Sequence, residues 1–110
     1  MGRPKLRRTA IFAAALTFAS AAVLSGEASA RDAAAVAAGG GLVETHCAPC
    51  HGENLSNPNG IADLRQLRPE DRGRFNQTLQ QGRGQMPSWA GMFSDAEVDQ
   101  IWAFIESISN

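Results

Sequence analysis

Apolar positions along the chain follow three different patterns. From Thr9 to Leu24 no charge interrupts a run of mostly Ala, Leu, Ile, Phe and Val. At the other end, Val98, Ile101, Trp102, Ile105 and Ile108 recur at helical spacing, with Phe104 widening the face. Ser94 and Glu97, just before them, form an S-x-x-E capping box that predicts where this helix starts. Between these ends the pattern is weaker. Asp32 to His46 is rich in alanine and predicts a helix, although Gly39-Gly40-Gly41 costs it about 1 kcal/mol per glycine relative to alanine. Glycines in such a place signal a break or the close approach of another helix. Pro69 suits the first position of a further helix, Phe75 and Leu79 share a face on it, and Gly82 is its expected C-cap. Residues 52–68, with Asn54, Asn57, Pro58, Asn59 and Gly60, have the composition of a loop, and Ile61, Leu64 and Leu67 give it an apolar side. No stretch alternates strictly between apolar and polar, so no sheet is expected. The predicted class is all-α, with three main helices and long loops.

The first thirty residues read differently from the rest. Arg3, Lys5, Arg7 and Arg8 precede the apolar run, and Ala28-Ser29-Ala30 follows it. A basic start, an apolar stretch and an A-x-A site make a secretory signal peptide cleaved after Ala30, leaving 31–110 as the working domain. The alternative, an uncleaved anchor, needs ~20 apolar residues to cross a bilayer, and this run is shorter. The expectation is a periplasmic protein with no stable membrane insertion after cleavage.

Charge changes meaning once that segment is set aside. The full chain has 110 residues and a formal net charge of −1, from 10 basic and 11 acidic side chains. Its first thirty residues contain four of the basic residues, the sole lysine included, and one acid, so the remainder is acidic and no nucleic-acid partner is expected. A domain of about 80 residues has a marginal hydrophobic core and needs a disulfide, metal, cofactor or partner to supplement it.

The candidate supplement is Cys47-Ala48-Pro49-Cys50-His51, a C-x-x-C-H motif, the attachment signature of c-type haem. Two thiols three positions apart can reach the two vinyl groups of one haem edge, and the adjacent His51 turns its imidazole to the iron as proximal ligand. Three other readings compete. A Cys47–Cys50 disulfide does not require His51. A zinc site needs more ligands than His46 and His51 add. A thioredoxin-like pair needs a βαβ pattern that the chain lacks. For the sixth iron position the donors after residue 30 are His46, Met86 and Met92. His46 adjoins Cys47 and is not expected to reach the far haem face. Met86 precedes Pro87 in a glycine-rich loop and is held extended by it, which suits a thioether presented from a loop. Met92 has the setting of a packing residue. Met86 is the expected distal ligand.

On these motifs the segment resembles a small bacterial class I cytochrome c. Gly39 and Leu42 ahead of Cys-Ala-Pro-Cys-His-Gly are similar to that family's N-terminal helix. Gly82 and Met86-Pro87 are similar to its methionine loop, and Phe93-Ser94-Asp95 with Val98, Ala103, Phe104 and Ile105 to its C-terminal helix. The resemblance implies one covalent haem c, terminal helices that cross near Gly39 and Phe104, and His51 and Met86 on opposite sides of the iron. The chain departs from the family at Val43 and Phe104, where aromatic residues and tyrosine are usual, and in the loop from Glu53 to Leu64. Pro58 is the candidate carbonyl partner of the His51 ring N–H. Asn57-Pro58-Asn59-Gly60, Asp63-Leu64-Arg65 and Gly84-Gln85-Met86-Pro87-Ser88-Trp89 resemble cytochromes that accept electrons from periplasmic quinoprotein alcohol dehydrogenases.

The implied function is single-electron transfer without enzymatic activity: a periplasmic dehydrogenase as donor, an oxidase or another cytochrome as acceptor. Alternatives are a docked haem subunit of a dehydrogenase or oxidase complex, and a haem enzyme or gas-binding protein with an open sixth site. Arg65 and Arg83 are candidates to pair with haem propionates, and Trp89 to pack on the haem edge. Arg68, Arg72 and Arg74 are expected to face water.

Overall fold

The computed structural model describes residues 2–5, 10–15, 21–57 and 61–110. The Arg7-Arg8 pair, part of the apolar run and Pro58 lie outside the described residues. Four α-helices follow one another: α1, Ala21–His46; α2, Ala48–His51; α3, Arg72–Gln81; and α4, Asp95–Ile108. Short 3₁₀ turns at Glu53–Leu55, Leu64–Gln66 and Pro69–Asp71 punctuate the connections. Among the described residues there is no strand, only an isolated antiparallel bridge between Arg83 and Met86. None of the described helices is long and apolar enough to cross a membrane.

The glycine triplet does not break α1. A Cβ on Gly39 would run into the Gln100 carbonyl of α4, and one on Gly40 would meet the Phe104 ring at 3.1 Å, whereas Gly41 has nothing within 4 Å. Gly39 therefore lets α1 and α4 cross at backbone contact, and Gly40 leaves room for the Phe104 ring. The crossing lies where the resemblance put it, with Gly40 rather than Gly39 against Phe104. α1 also begins earlier than Asp32, because the alanine-rich stretch before it has high helix propensity. Pro69 opens a 3₁₀ turn, and the α-helix proper starts at Arg72.

Val43, Leu55, Phe75, Leu79, Ile101, Trp102 and Ile105 form the core, contributed by α1, the first connection, α3 and α4. The capping box holds as read: the Glu97 N–H donates to Ser94 Oγ at 3.1 Å, and the Ser94 N–H to Glu97 Oε2 at 2.8 Å. Arg72, expected in water, instead clamps α3 to α4. Its guanidinium lies 5.4 Å from the Trp102 ring centroid and pairs with Asp99, because packing Phe75 on Trp102 brings that side of α3 over α4.

Candidate functional site

α1 ends at His46, and Cys47 starts a short α2 in which Pro49 occupies the first turn. Backbone bonds from the Cys50 and His51 N–H groups return to the Cys47 carbonyl at 3.2 and 2.8 Å, so all three motif side chains leave one helical turn. The cysteines are not joined to each other: Cys47 is half-buried and Cys50 exposed. Burial, and then the neighbouring Cys50, push the Cys47 thiol up to about 11. His51 is buried. Its Nδ1 faces the Ala62 carbonyl oxygen at 3.3 Å. A carbonyl can only accept, so Nδ1 donates and Nε2 keeps its lone pair for a ligand. Among the described residues Ala62 is thus the carbonyl partner, where the loop returns to α2, while the expected partner Pro58 lies outside the described residues.

Met86 reaches the same region from the other half of the chain. Arg83 and Met86 exchange two backbone hydrogen bonds of 3.0 Å, closing a turn through Gly84, whose φ is +57°. Gly82, φ +70°, leaves no room for a Cβ, which would lie 2.9 Å from the Pro87 carbonyl carbon. The Trp89 N–H donates to the Leu79 carbonyl at 2.7 Å, and Ser88 Oγ to that of Gln80. The glycine-flanked methionine loop is therefore pinned at both ends. Met92, in contrast, is 59% exposed.

These segments enclose a cavity of about 610 Å³, the size of a cofactor pocket. Cys47, Cys50, His51 and Met86 all line it, and Met92 does not. Val43, Leu55, Phe75, Leu79, Ile101 and Ile105 supply apolar walls. Two thiols free of a disulfide, an imidazole with one nitrogen tethered, a thioether and an apolar chamber fit the donor set of a covalently held haem c. Among the described residues, no group of three or more His, Cys, Asp or Glu is placed together as metal ligands.

Other expected residues lie elsewhere. Arg65 does not line the cavity; it forms a two-pronged pair with Asp63, at 2.9 and 2.8 Å. This guanidinium holds the Asp63 carboxyl down at about 2. Arg83 lines the cavity, as does Arg74, whose exposed side chain also faces water as expected. Arg74 and Thr78 are one turn apart on α3, beside core residues Phe75 and Leu79, and that i, i+4 stripe was the available signal. Trp89 lines the cavity and also stacks on Phe93 at 5.7 Å. His46 lies edge-on to both rings, 5.9 Å from Trp89 and 5.2 Å from Phe93, and so is a wall residue.

Comparison with known proteins agrees with this geometry. The family described as "Cytochrome C oxidase, cbb3-type, subunit III" matches residues 34–105, a span that contains every cavity-lining residue named above. The quinohemoprotein alcohol dehydrogenase ADH-IIG of Pseudomonas putida is 37% identical over 76 residues, which is 67% of this chain and 11% of that enzyme. The chain thus spans about one-ninth of that relative's length. No solved structure matches the chain.

Proposed function

The chain belongs to the cytochrome c family represented by the cbb3-type subunit III domain, and from that premise we propose that it is a periplasmic carrier of single electrons with a class I cytochrome fold. The observation that carries this reading is the convergence of Cys47, Cys50, His51 and Met86 on one apolar cavity. When bound, a haem would supply a reversible one-electron ferric/ferrous couple. The protein's own part follows from its residues. The Cys47 and Cys50 thiols would hold the group covalently, so that a small domain could retain it. His51 Nε2 and Met86 Sδ would be its nitrogen and sulfur donors, with the imidazole oriented by Ala62 and the thioether by the Arg83–Met86 turn. The apolar walls would limit water around the group and disfavour its more highly charged form, which with histidine and methionine donors would favour a high potential.

The likeness to part of a quinohemoprotein alcohol dehydrogenase supports a periplasmic quinoprotein dehydrogenase as electron donor, with an oxidase or another cytochrome as acceptor. The same likeness gives some support to the second reading, a haem subunit docked on such an enzyme. The leader-like first thirty residues support export and cleavage after Ala30.

The test is the spectrum and potential of protein purified from the periplasm. Met86→Ala should lower the potential and abolish the weak methionine–iron charge-transfer band of the ferric form, while Met92→Ala leaves both in place. Loss of the band in Met92→Ala alone would reverse the ligand assignment. An intact mass equal to the bare polypeptide would refute covalent haem. Stopped-flow reduction by a quinoprotein alcohol dehydrogenase of the same organism, set against reduction by a cytochrome bc1 complex, separates the proposed donor from general respiratory shuttling.

A further inference from the structure

The cavity wall is electrostatically one-sided. Arg74 and Arg83 line it, and among the described residues no Asp or Glu does, in a chain whose acidic side chains number 11 against 10 basic. Thr78, one turn beyond Arg74 on α3, shares that wall. Arg74 gives one Nη2–H to Asp71 at 3.0 Å, and the rest of its five-donor fork is left to serve another acceptor. Arg83 springs from the turn whose two 3.0 Å backbone bonds also fix Met86, so its base is held beside the thioether. Arg65 is not on this wall, being engaged by Asp63. Arg74 and Arg83 are both exposed at the rim of a chamber whose remaining walls are mostly apolar, where their guanidinium forks can turn from water to an anion held inside.

We propose that Arg74, Thr78 and Arg83 seat the carboxylate edge of the haem, the arginines as bidentate donors and Thr78 as a hydroxyl donor. This inference rests on the haem reading above. Ionised carboxylates near the iron stabilise its ferric form. The two guanidinium groups offset that effect, and they also keep the carboxylates ionised to lower pH. The three side chains are positioning residues that set the potential.

The experiment uses haem-loaded protein from the periplasm as the parent, Arg74→Gln, Arg83→Gln and Thr78→Val, with Arg68→Gln as a charge-matched control on an exposed residue outside the cavity. The potential is titrated across the mildly acidic to neutral range. Arg74→Gln and Arg83→Gln should each lower the ferrous-to-ferric ratio at a fixed poise by about threefold to tenfold, tenfold being 59 mV for a one-electron couple. Each should also move the pH-dependent fall of the potential to higher pH, with a smaller displacement in Thr78→Val. Arg68→Gln should leave that pH position where the parent has it. If the parent carries haem but the cavity variants behave like Arg68→Gln, this inference is overturned alone. A parent without bound haem overturns the haem reading along with it.

Discussion

Three consecutive glycines in α1 should respond to the same substitution in three different ways. In Gly39→Ala the added methyl group meets the Gln100 carbonyl and the Ile101 nitrogen, both backbone atoms that no rotamer change can move aside. The helices must separate, and overpacking of this kind costs about 1–3 kcal/mol, against roughly 1 kcal/mol recovered in helix propensity. In Gly41→Ala the methyl group enters open space, so the propensity gain stands alone. Gly40→Ala falls between, since its neighbour at 3.1 Å is the Phe104 ring, a side chain able to yield. For a domain of this size 1 kcal/mol moves Tm by about 4–8 °C. Gly41→Ala should therefore melt several degrees above the parent, Gly40→Ala near it and Gly39→Ala below it, by up to about 8–16 °C where the overpacking is largest. Thermal unfolding followed by far-ultraviolet circular dichroism, with cavity integrity checked by absorbance, reads the order directly. Equal Tm values for Gly39→Ala and Gly41→Ala would refute backbone contact at the crossing.

Two further substitutions test local features. Ser94→Ala removes the acceptor of the Glu97 N–H at the start of α4 and should cost about 1 kcal/mol, read as a lower urea midpoint with unchanged slope. The Asp63 carboxyl is held below its ordinary value of 3.8, at about 2, by Arg65, so its stabilising contribution is complete above pH 3.8 and fades as the pH falls through 2. Asp63→Asn should accordingly lower the urea midpoint at neutral pH by a small amount, the pair being only partly buried, and the gap to the parent should close as the pH drops from about 4 to 2. A gap of constant size across that range would exclude the Arg65 pair as its source.

What the sequence made legible was mostly local. The C-x-x-C-H motif, the Ser94–Glu97 capping box and the apolar stripe of α4 are each written within a turn or two of helix, and each sits in the structure as expected. Met86, the expected distal ligand, lines the cavity on a backbone that Pro87 and the flanking glycines announce, whereas Met92, expected to pack, is exposed because it lies outside the core, just ahead of α4. Residues whose role depends on distant packing were harder to read. Arg74 and Arg65 look alike in composition, but the turn at Asp63 folds Arg65 back onto its own neighbour, while packing of Phe75 and Leu79 brings Arg74 to the cavity rim. The partner of His51 depended on where a long loop returns, which no spacing rule specifies. His46 lines the cavity, and its place between Trp89 and Phe93 emerges only when residues far apart in sequence meet.

The crossing of α1 and α4 also has a consequence for the order in which the chain can fold. Gly39 and Gln100 bracket nearly the whole domain, so their contact closes a loop of about 60 residues and carries its full entropic cost before any local reward. α3 and the Arg83–Met86 turn can form earlier, from neighbours in sequence. Contacts of such long range slow the search for the native state. A covalent tie between Cys47, Cys50 and a group resting on Leu79 and Met86 would bridge part of that loop in advance. Attachment would then act as a folding event as well as a chemical one, drawing the first half of the domain to the second before the terminal helices lock.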